Sequence, residues 1–95
     1  MSLESLPIAK FRLGHLVSTP NALSRLTQED ILSGIRRHQA GDWGEVHLSD
    51  WTANERALEE GTRLFSVYRS ALGLPFWVIT EADRSSTTVL LPEDY

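Results

Sequence analysis

Side chains that could do chemistry crowd together at one place in this chain, the polar stretch over residues 81–86. The stretch reads Glu-Ala-Asp-Arg-Ser-Ser and separates two apolar, β-type runs. Glu81 and Asp83 are candidate acid/base or metal-binding carboxylates, and Arg84 could hold an anion. Asp and Ser side chains also stabilise turns by bonding nearby backbone amides. The stretch is therefore either a binding site built from Glu81, Asp83 and Arg84 or a structural hairpin turn.

A second set, of arginine and tyrosine side chains, lies on the strand that precedes this hairpin. Strand alternation places Arg63 and Arg69 on one face and Tyr68 on the other. Small ribonucleases use such groups, with an acid or a histidine, to hold and cleave a phosphodiester. If the chain is catalytic, the expected set is Arg69, Tyr68, Arg84 and Glu81. We favour a protein without catalytic residues, because helices must cover one face of the sheet and keep these groups apart.

The remaining candidate groups are a basic pair and three histidines. Arg36 and Arg37 are adjacent on a predicted helix and are candidate binding residues. His15, His38 and His47 share no metal-ligand spacing with one another or with a nearby acid. His38 is predicted near a helix C-terminus, where a positive charge favours the helix dipole. Neither a phosphate-binding loop nor a dinucleotide fingerprint is present, and we predict no metal and no cofactor.

Size and charge narrow the classes of function. The chain has 95 residues, no cysteine and a net charge of −4. That length fits one domain, and the negative charge disfavours nucleic acid as a partner, since binding phosphates needs a clustered basic surface. The absence of an apolar run of about 18 residues predicts no membrane span. The first residues lack the pattern of a signal peptide, so we expect a cytoplasmic protein.

Apolar periodicity predicts a flexible N-terminal arm over residues 1–8 and a single α+β domain over residues 9–95. The predicted element order is β-α-α-α-β-β-β. The strands and helices are expected over residues 9–18, 21–26, 27–40, 49–60, 63–71, 76–80 and 87–91. Short links between the last three strands predict an antiparallel meander packed on the helices, with the N-terminal strand at an edge of the sheet.

Local signals refine these elements. Thr19 and Thr27 are predicted helix N-caps, and a kink is predicted at Gly14 within the first strand. Gly34, inside the second helix, predicts close packing of a neighbour. The turn over residues 41–44 should place its aromatic residue in the core. We expect the three tryptophans of the chain to pack together there: Trp43, Trp51 and Trp77.

Three segments together carry a resemblance to a known family. They are Gly41-Asp42-Trp43-Gly44, the run Asn-Glu-Arg-Ala-Leu-Glu-Glu-Gly over residues 54–61, and the C-terminal hairpin over residues 77–92. The chain resembles, over about residues 11–95, small bacterial proteins of plasmids and integrative elements. Members are labelled plasmid-related or a modification subunit of a type I restriction system. The sequence has neither the length nor the catalytic loop of a DNA methyltransferase. The resemblance therefore implies a genomic setting but no catalytic residues.

These observations favour a small protein-binding or regulatory module of a mobile element, which modulates host defence or element maintenance. Its partner would be a host or element-encoded protein, or a second copy pairing through a sheet edge. One alternative is a compact nucleic-acid-binding or RNA-cleaving, toxin-like protein. The other is a transcriptional regulator that acts through the helix pair over residues 19–40.

Overall fold

A computed structural model describes residues 8–95 of the chain. The predicted flexible arm, apart from Ile8, lies outside the described residues. The elements follow the order β1 (His15–Ser18), α1 (Pro20–Arg25), α2 (Gln28–Gln39), α3 (Leu48–Glu60), β2 (Leu64–Arg69), β3 (Pro75–Thr80) and β4 (Ser86–Leu90), with a 3-10 turn at Pro92–Asp94. The predicted α+β class is confirmed. None of the described helices has the length and apolar character needed to cross a membrane.

The four strands form one mixed sheet in the order β1-β4-β3-β2. β2 and β3 pair antiparallel, as do β3 and β4. β1 lies at an edge and runs parallel to β4, with His15 opposite Ser86 and Ser18 opposite Val89. The sequence predicted an antiparallel meander of the last three strands with the N-terminal strand at an edge. The sheet differs from this in part, because β1 joins β4 in parallel and makes a mixed sheet of four strands. The parallel pair arises because the whole helical layer separates β1 from β4 along the chain, which leaves room for a crossover.

β1 is shorter than predicted, because the residues before His15 are not paired in the sheet. The amide of Lys10 donates to the carbonyl of Gln39 at the end of α2, 2.8 Å away. Gly14, where a kink within the strand was predicted, instead lies just before β1, which begins at His15. Its φ of +65° lies in the left-handed region, and a Cβ there would collide with the carbonyl oxygen of Ser85. The chain therefore enters the sheet only after Gly14.

Both predicted N-caps are confirmed. The Thr19 hydroxyl accepts a hydrogen bond from the amide of Ala22. Thr27 and Asp30 bond reciprocally to each other's backbone amides in a capping box. α3 begins at Leu48, slightly before the predicted start, with His47 in the N-cap position and no side-chain cap. The caps fix where α1 and α2 begin and so how they lie across the sheet.

The core lies on the helix-covered face of the sheet, in two apolar clusters. Ala22, Leu26 and Ile35 of α1 and α2 pack against inward-facing residues of the strands: Tyr68, Phe76, Val78 and Val89. Trp43, Ala57 and Leu64 form the second cluster, under α3. Inward positions alternate with outward ones along each strand, so the helix-covered face supplies both clusters. Ile79 and Leu90 are also buried, on the opposite face.

The tryptophans do not pack together, which corrects the prediction. Trp43 is fully buried, as its turn predicted, whereas Trp51 is 36% exposed on α3. Trp77 lies on the other face of the sheet, with its ring 5.1 Å from that of Phe65 and 5.6 Å from that of Tyr95. The cause is alternation on β3, because Phe76 and Val78 point into the core and Trp77 between them must point away.

The predicted close packing at Gly34 is confirmed. An added Cβ would lie 2.7 Å from Cε2 of Phe76.

We expect Gly34→Ala to lower the free energy of unfolding by about 1–2 kcal/mol, since overpacking outweighs the gain in helix propensity. Urea unfolding followed by circular dichroism measures this. Ser33→Ala, at the exposed neighbouring position, should change the value by less than about 0.5 kcal/mol. A stabilised Gly34→Ala variant would contradict the close packing.

Candidate functional site

Arg84, in the polar turn, binds backbone carbonyls. Its Nη1 donates to the carbonyl oxygens of Thr62, Glu81 and Ala82, at 2.7, 3.0 and 3.1 Å. Its Nη2 donates to the carbonyl of Ala57 near the end of α3, at 3.0 Å. The backbone of Arg84 has a φ of 62°, which is uncommon for a residue other than glycine. The guanidinium thus ties the turn to α3, and an anion would have to compete with these bonds.

The two acids of the turn do not converge on a common ligand position with Arg84. One carboxylate oxygen of Asp83 accepts from the amide of Ser85 at 2.9 Å, and bonds from Ser85 hold the pKa of Asp83 below its usual value. The amide of Glu81 closes the turn on the carbonyl of Ser86, at 3.0 Å. Within residues 8–95, no group of three or more His, Cys, Asp or Glu side chains is arranged to hold a metal ion. Ligand binding by Glu81, Asp83 and Arg84 stays a prediction.

The structural role of Arg84 can be tested by unfolding. We expect Arg84→Lys to lower the free energy of unfolding by about 1–3 kcal/mol, because an ammonium cannot reach four carbonyls in the fork geometry of a guanidinium. Thermal or urea unfolding measures the loss. Arg56→Lys, at an exposed position of α3, is the matched control and should have little effect. Equal stability of both variants would show that these bonds contribute nothing measurable.

The groups considered for phosphodiester chemistry are held apart by the sheet. Tyr68 is buried on the helix face, where its hydroxyl donates to the carbonyl of Asp42 at 2.6 Å, and burial raises its pKa. Arg69, on the other face, pairs with Glu45 at 3.0 Å. Arg63 donates to the hydroxyl of Tyr95 at 2.7 Å. No described pocket contains both Tyr68 and an arginine of this set.

The basic pair of α2 is also divided. Arg37 binds Asp42 through Nε and Nη2, at 2.7 and 3.3 Å, and its guanidinium lies 4.6 Å from the centre of the Tyr68 ring. The bond to Asp42 raises the pKa of Arg37. Arg36 is exposed. The pair therefore does not present two neighbouring free guanidinium groups, as a phosphate-binding patch would need.

His38 belongs to a buried hydrogen-bond network that the sequence analysis missed. Its Nδ1 lies 2.6 Å from the hydroxyl of Ser66, and its Nε2 lies 2.9 Å from that of Thr80. Thr80 in turn bonds Thr87, which donates to the carbonyl of Leu13 at 2.7 Å. The predicted interaction of a charged His38 with the helix dipole is wrong. Burial and, secondarily, the charge of Arg84 lower its pKa from 6.5 to about 3.

His38 makes the fold sensitive to acid. Because its folded pKa lies below the unfolded value of about 6.5, the unfolded chain binds the extra proton. Stability is then complete above pH 6.5 and falls as the pH drops toward 3, by up to about 1.4 kcal/mol per pH unit. Between pH 6.5 and 5 we expect a loss of about 2 kcal/mol in urea unfolding. His38→Gln should abolish this slope and His47→Gln should keep it, whereas equal slopes in all three proteins would contradict the assignment.

The β2 edge of the sheet is closed. The side-chain amide of Asn54 donates to the carbonyl of Phe65 at 2.7 Å, and its oxygen accepts from the amide of Phe65 at 3.0 Å. The carbonyl of Trp43 accepts from the amide of Val67 at 3.1 Å, and the amide of Glu45 donates to the carbonyl of Val67 at 2.8 Å. The outward-facing backbone groups of Phe65 and Val67 are thus satisfied, which protects this edge from another strand.

The β1 edge is open. The amide of His15 donates to the carbonyl of Ser85, just before β4, at 2.9 Å, and the amide of Thr19 donates to the carbonyl of Val89 in β4, at 3.0 Å. Because bonding residues alternate in a parallel pair, the backbone groups of Leu16 and Ser18 face away from β4. Neither residue has a hydrogen-bond partner for these groups within residues 8–95. β1 also carries no lysine, proline or bulge that would block pairing.

An apolar groove lies beside this open edge, between β1 and the helices α1 and α2. Its volume is about 460 Å³, and no charged residue among residues 8–95 lines it. Leu16, Leu23 and Leu32 line it and are 56%, 63% and 43% exposed. A contiguous set of exposed leucines next to free backbone groups is the pattern of a strand-docking surface.

A smaller pocket of about 210 Å³ lies on the uncovered face of the sheet. Phe65, Trp77, Ile79, Arg63 and Tyr95 line it. The guanidinium of Arg63 lies over the Tyr95 ring, 5.4 Å from its centre. The pocket is below the usual size for a small-molecule site, and the only cation lining it already bonds Tyr95.

Sequence reasoning identified an available sheet edge but not which edge, because the sealing groups of β2 come from distant parts of the chain. The groove was missed as well. It could have been recognised from the extra apolar residues on α1 and α2, where Leu23 and Leu32 lie outside the stripe that packs on the sheet.

No family model, curated protein or solved structure matches this chain. The resemblance to plasmid and integrative-element proteins stays a prediction.

Proposed function

We propose that this protein is a non-enzymatic, protein-binding module that docks an extended segment of a protein partner on β1. One observation carries the proposal: beside an apolar groove, the outward backbone groups of Leu16 and Ser18 have no partner within residues 8–95. The contrast with the sealed β2 edge strengthens it, since the same sheet protects one edge and leaves the other available.

The surface offers both affinity and selectivity. An added strand would form main-chain hydrogen bonds to Leu16 and Ser18, each worth about 0.5–1.5 kcal/mol net. Alternate side chains of that strand would point toward the groove. A buried apolar side chain contributes about 1.5–3 kcal/mol, and the uncharged lining disfavours a charged one. The surface therefore selects an extended segment with an apolar side chain at the groove.

The biological setting of this module is supported by the resemblance alone. We propose a role in a mobile element, in which a host or element-encoded partner in defence or element maintenance is recognised in the cytoplasm. The alternatives, a nucleic-acid-binding or RNA-cleaving protein and a transcriptional regulator, gain no support from the placement of Arg36, Arg37, Tyr68 and Arg69.

Photo-crosslinking in cells tests the docking surface. We expect a benzoyl-phenylalanine introduced at Leu16 to crosslink a defined protein, which mass spectrometry identifies, and the same probe at Thr52 on α3 to give no such product. The identified protein is then purified and its binding measured. Leu16→Pro removes an outward amide without breaking the β1–β4 ladder, so binding should fall at least tenfold. Equal binding by Leu16→Pro and the wild type would refute the surface.

A further inference from the structure

We infer that the strand docked on β1 is β1 of a second copy of this chain, in an antiparallel, two-fold symmetric pair. This inference rests on the proposed function, because it names the occupant of the same surface. A foreign protein strand is the competing occupant.

The first argument is the register of the free backbone groups. In an antiparallel pair centred on Val17, Leu16 of one copy lies opposite Ser18 of the other, and Ser18 opposite Leu16. These are the residues whose amides and carbonyls face outward, so both pairs are of the hydrogen-bonded kind and use all four free groups of each edge. A register shifted by one residue would set Leu16 or Ser18 against a residue whose groups bond β4. The edge is thus complementary to itself.

The second argument is the position of the groove. A two-fold axis perpendicular to the sheet keeps the helices of both copies on the same side. Each groove opens beside β1, so pairing brings the two grooves together across the axis. The exposed side chains of Leu16, Leu23 and Leu32 from each copy are then shielded from water. Since none of the described residues that line the groove is charged, the symmetric pairing juxtaposes no like charges among them.

The third argument is closure. A two-fold pair uses the same patch on both copies and leaves no further free edge, because the outer edges of the joined sheet are the two sealed β2 strands. Assembly therefore stops at a dimer. β1 has only four residues, and three of them, Leu16, Val17 and Ser18, pair in this register. The interface therefore belongs to the small class, and a dissociation constant on the order of micromolar is expected.

Sedimentation velocity from about 1 to 500 μM tests the dimer, around that micromolar expectation. We expect the wild type to shift from monomer to dimer across the series. Leu16→Pro and Leu23→Lys should weaken the dimer at least tenfold. Leu72→Lys, the same change at a leucine that is 99% exposed in the β2–β3 turn, should leave it unchanged. A monomer at every concentration, or a dimer that survives Leu16→Pro, overturns the inference.

Disulfide trapping tests the register, because the chain has no cysteine of its own. Val17 faces its symmetry copy in a non-hydrogen-bonded pair, where side chains are closest. Val17→Cys should therefore form a disulfide-linked dimer at least tenfold faster than Leu72→Cys under mild oxidation, as read on a non-reducing gel. Equal rates overturn the two-fold register.

The two proposals fail in different ways. If the protein is monomeric but its Leu16 probe still crosslinks a foreign protein, and binding of that protein is lost in Leu16→Pro, only the second-copy inference fails. If Leu16 yields neither self-crosslinks nor foreign ones, the docking function itself fails.

Discussion

A continuous chain of hydrogen bonds crosses the core from α2 to the segment that precedes β1. It runs from His38 through the hydroxyls of Thr80 and Thr87 to the carbonyl of Leu13. Buried polar groups are costly unless every one has a partner, and in the described residues no buried side-chain polar atom lacks one. Sliding β1 by one residue along β4 would displace Leu13 and leave the Thr87 hydroxyl without its acceptor. The network therefore specifies the register of β1.

That register determines which backbone groups face outward at the β1 edge. Alternation along β1 leaves only the backbone groups of Leu16 and Ser18 facing outward. A shift by one residue would instead expose the backbone groups of His15 and Val17. Gly14 also helps to set this register, because its left-handed backbone lets the chain pass the carbonyl of Ser85 before it enters the sheet. A buried histidine is thus linked to a surface that it does not contact, through the hydroxyls of Thr80 and Thr87 and the carbonyl of Leu13.

The sequence predicted what depends on local chemistry and missed what depends on distant partners. The caps at Thr19 and Thr27, the tight packing at Gly34 and the burial of Trp43 follow from residue type and short spacing. The parallel direction of β1 depends on a crossover of three helices, which no local pattern encodes. The role of His38 was misjudged because its position suggested a solvent-exposed helix end, whereas Ser66 and Thr80 come from strands far along the chain. The polar turn was predicted as a possible binding site because its side chains are reactive types. A sequence does not show that Arg84 binds backbone carbonyls, since every residue carries one.

The two sheet edges differ in what lies beside each edge strand. α3 has 13 residues and places Asn54 where its amide mimics a neighbouring strand along β2. α1 has 6 residues and packs on β4 through Ala22. It does not extend over β1, so Leu16 stays uncovered and the groove forms beside it. A longer α1 would bury the leucines but also shield the edge from a partner. Retaining an exposed, neutral edge carries a risk of aggregation. The proposed two-fold pair would remove that risk, because it would end assembly at two copies.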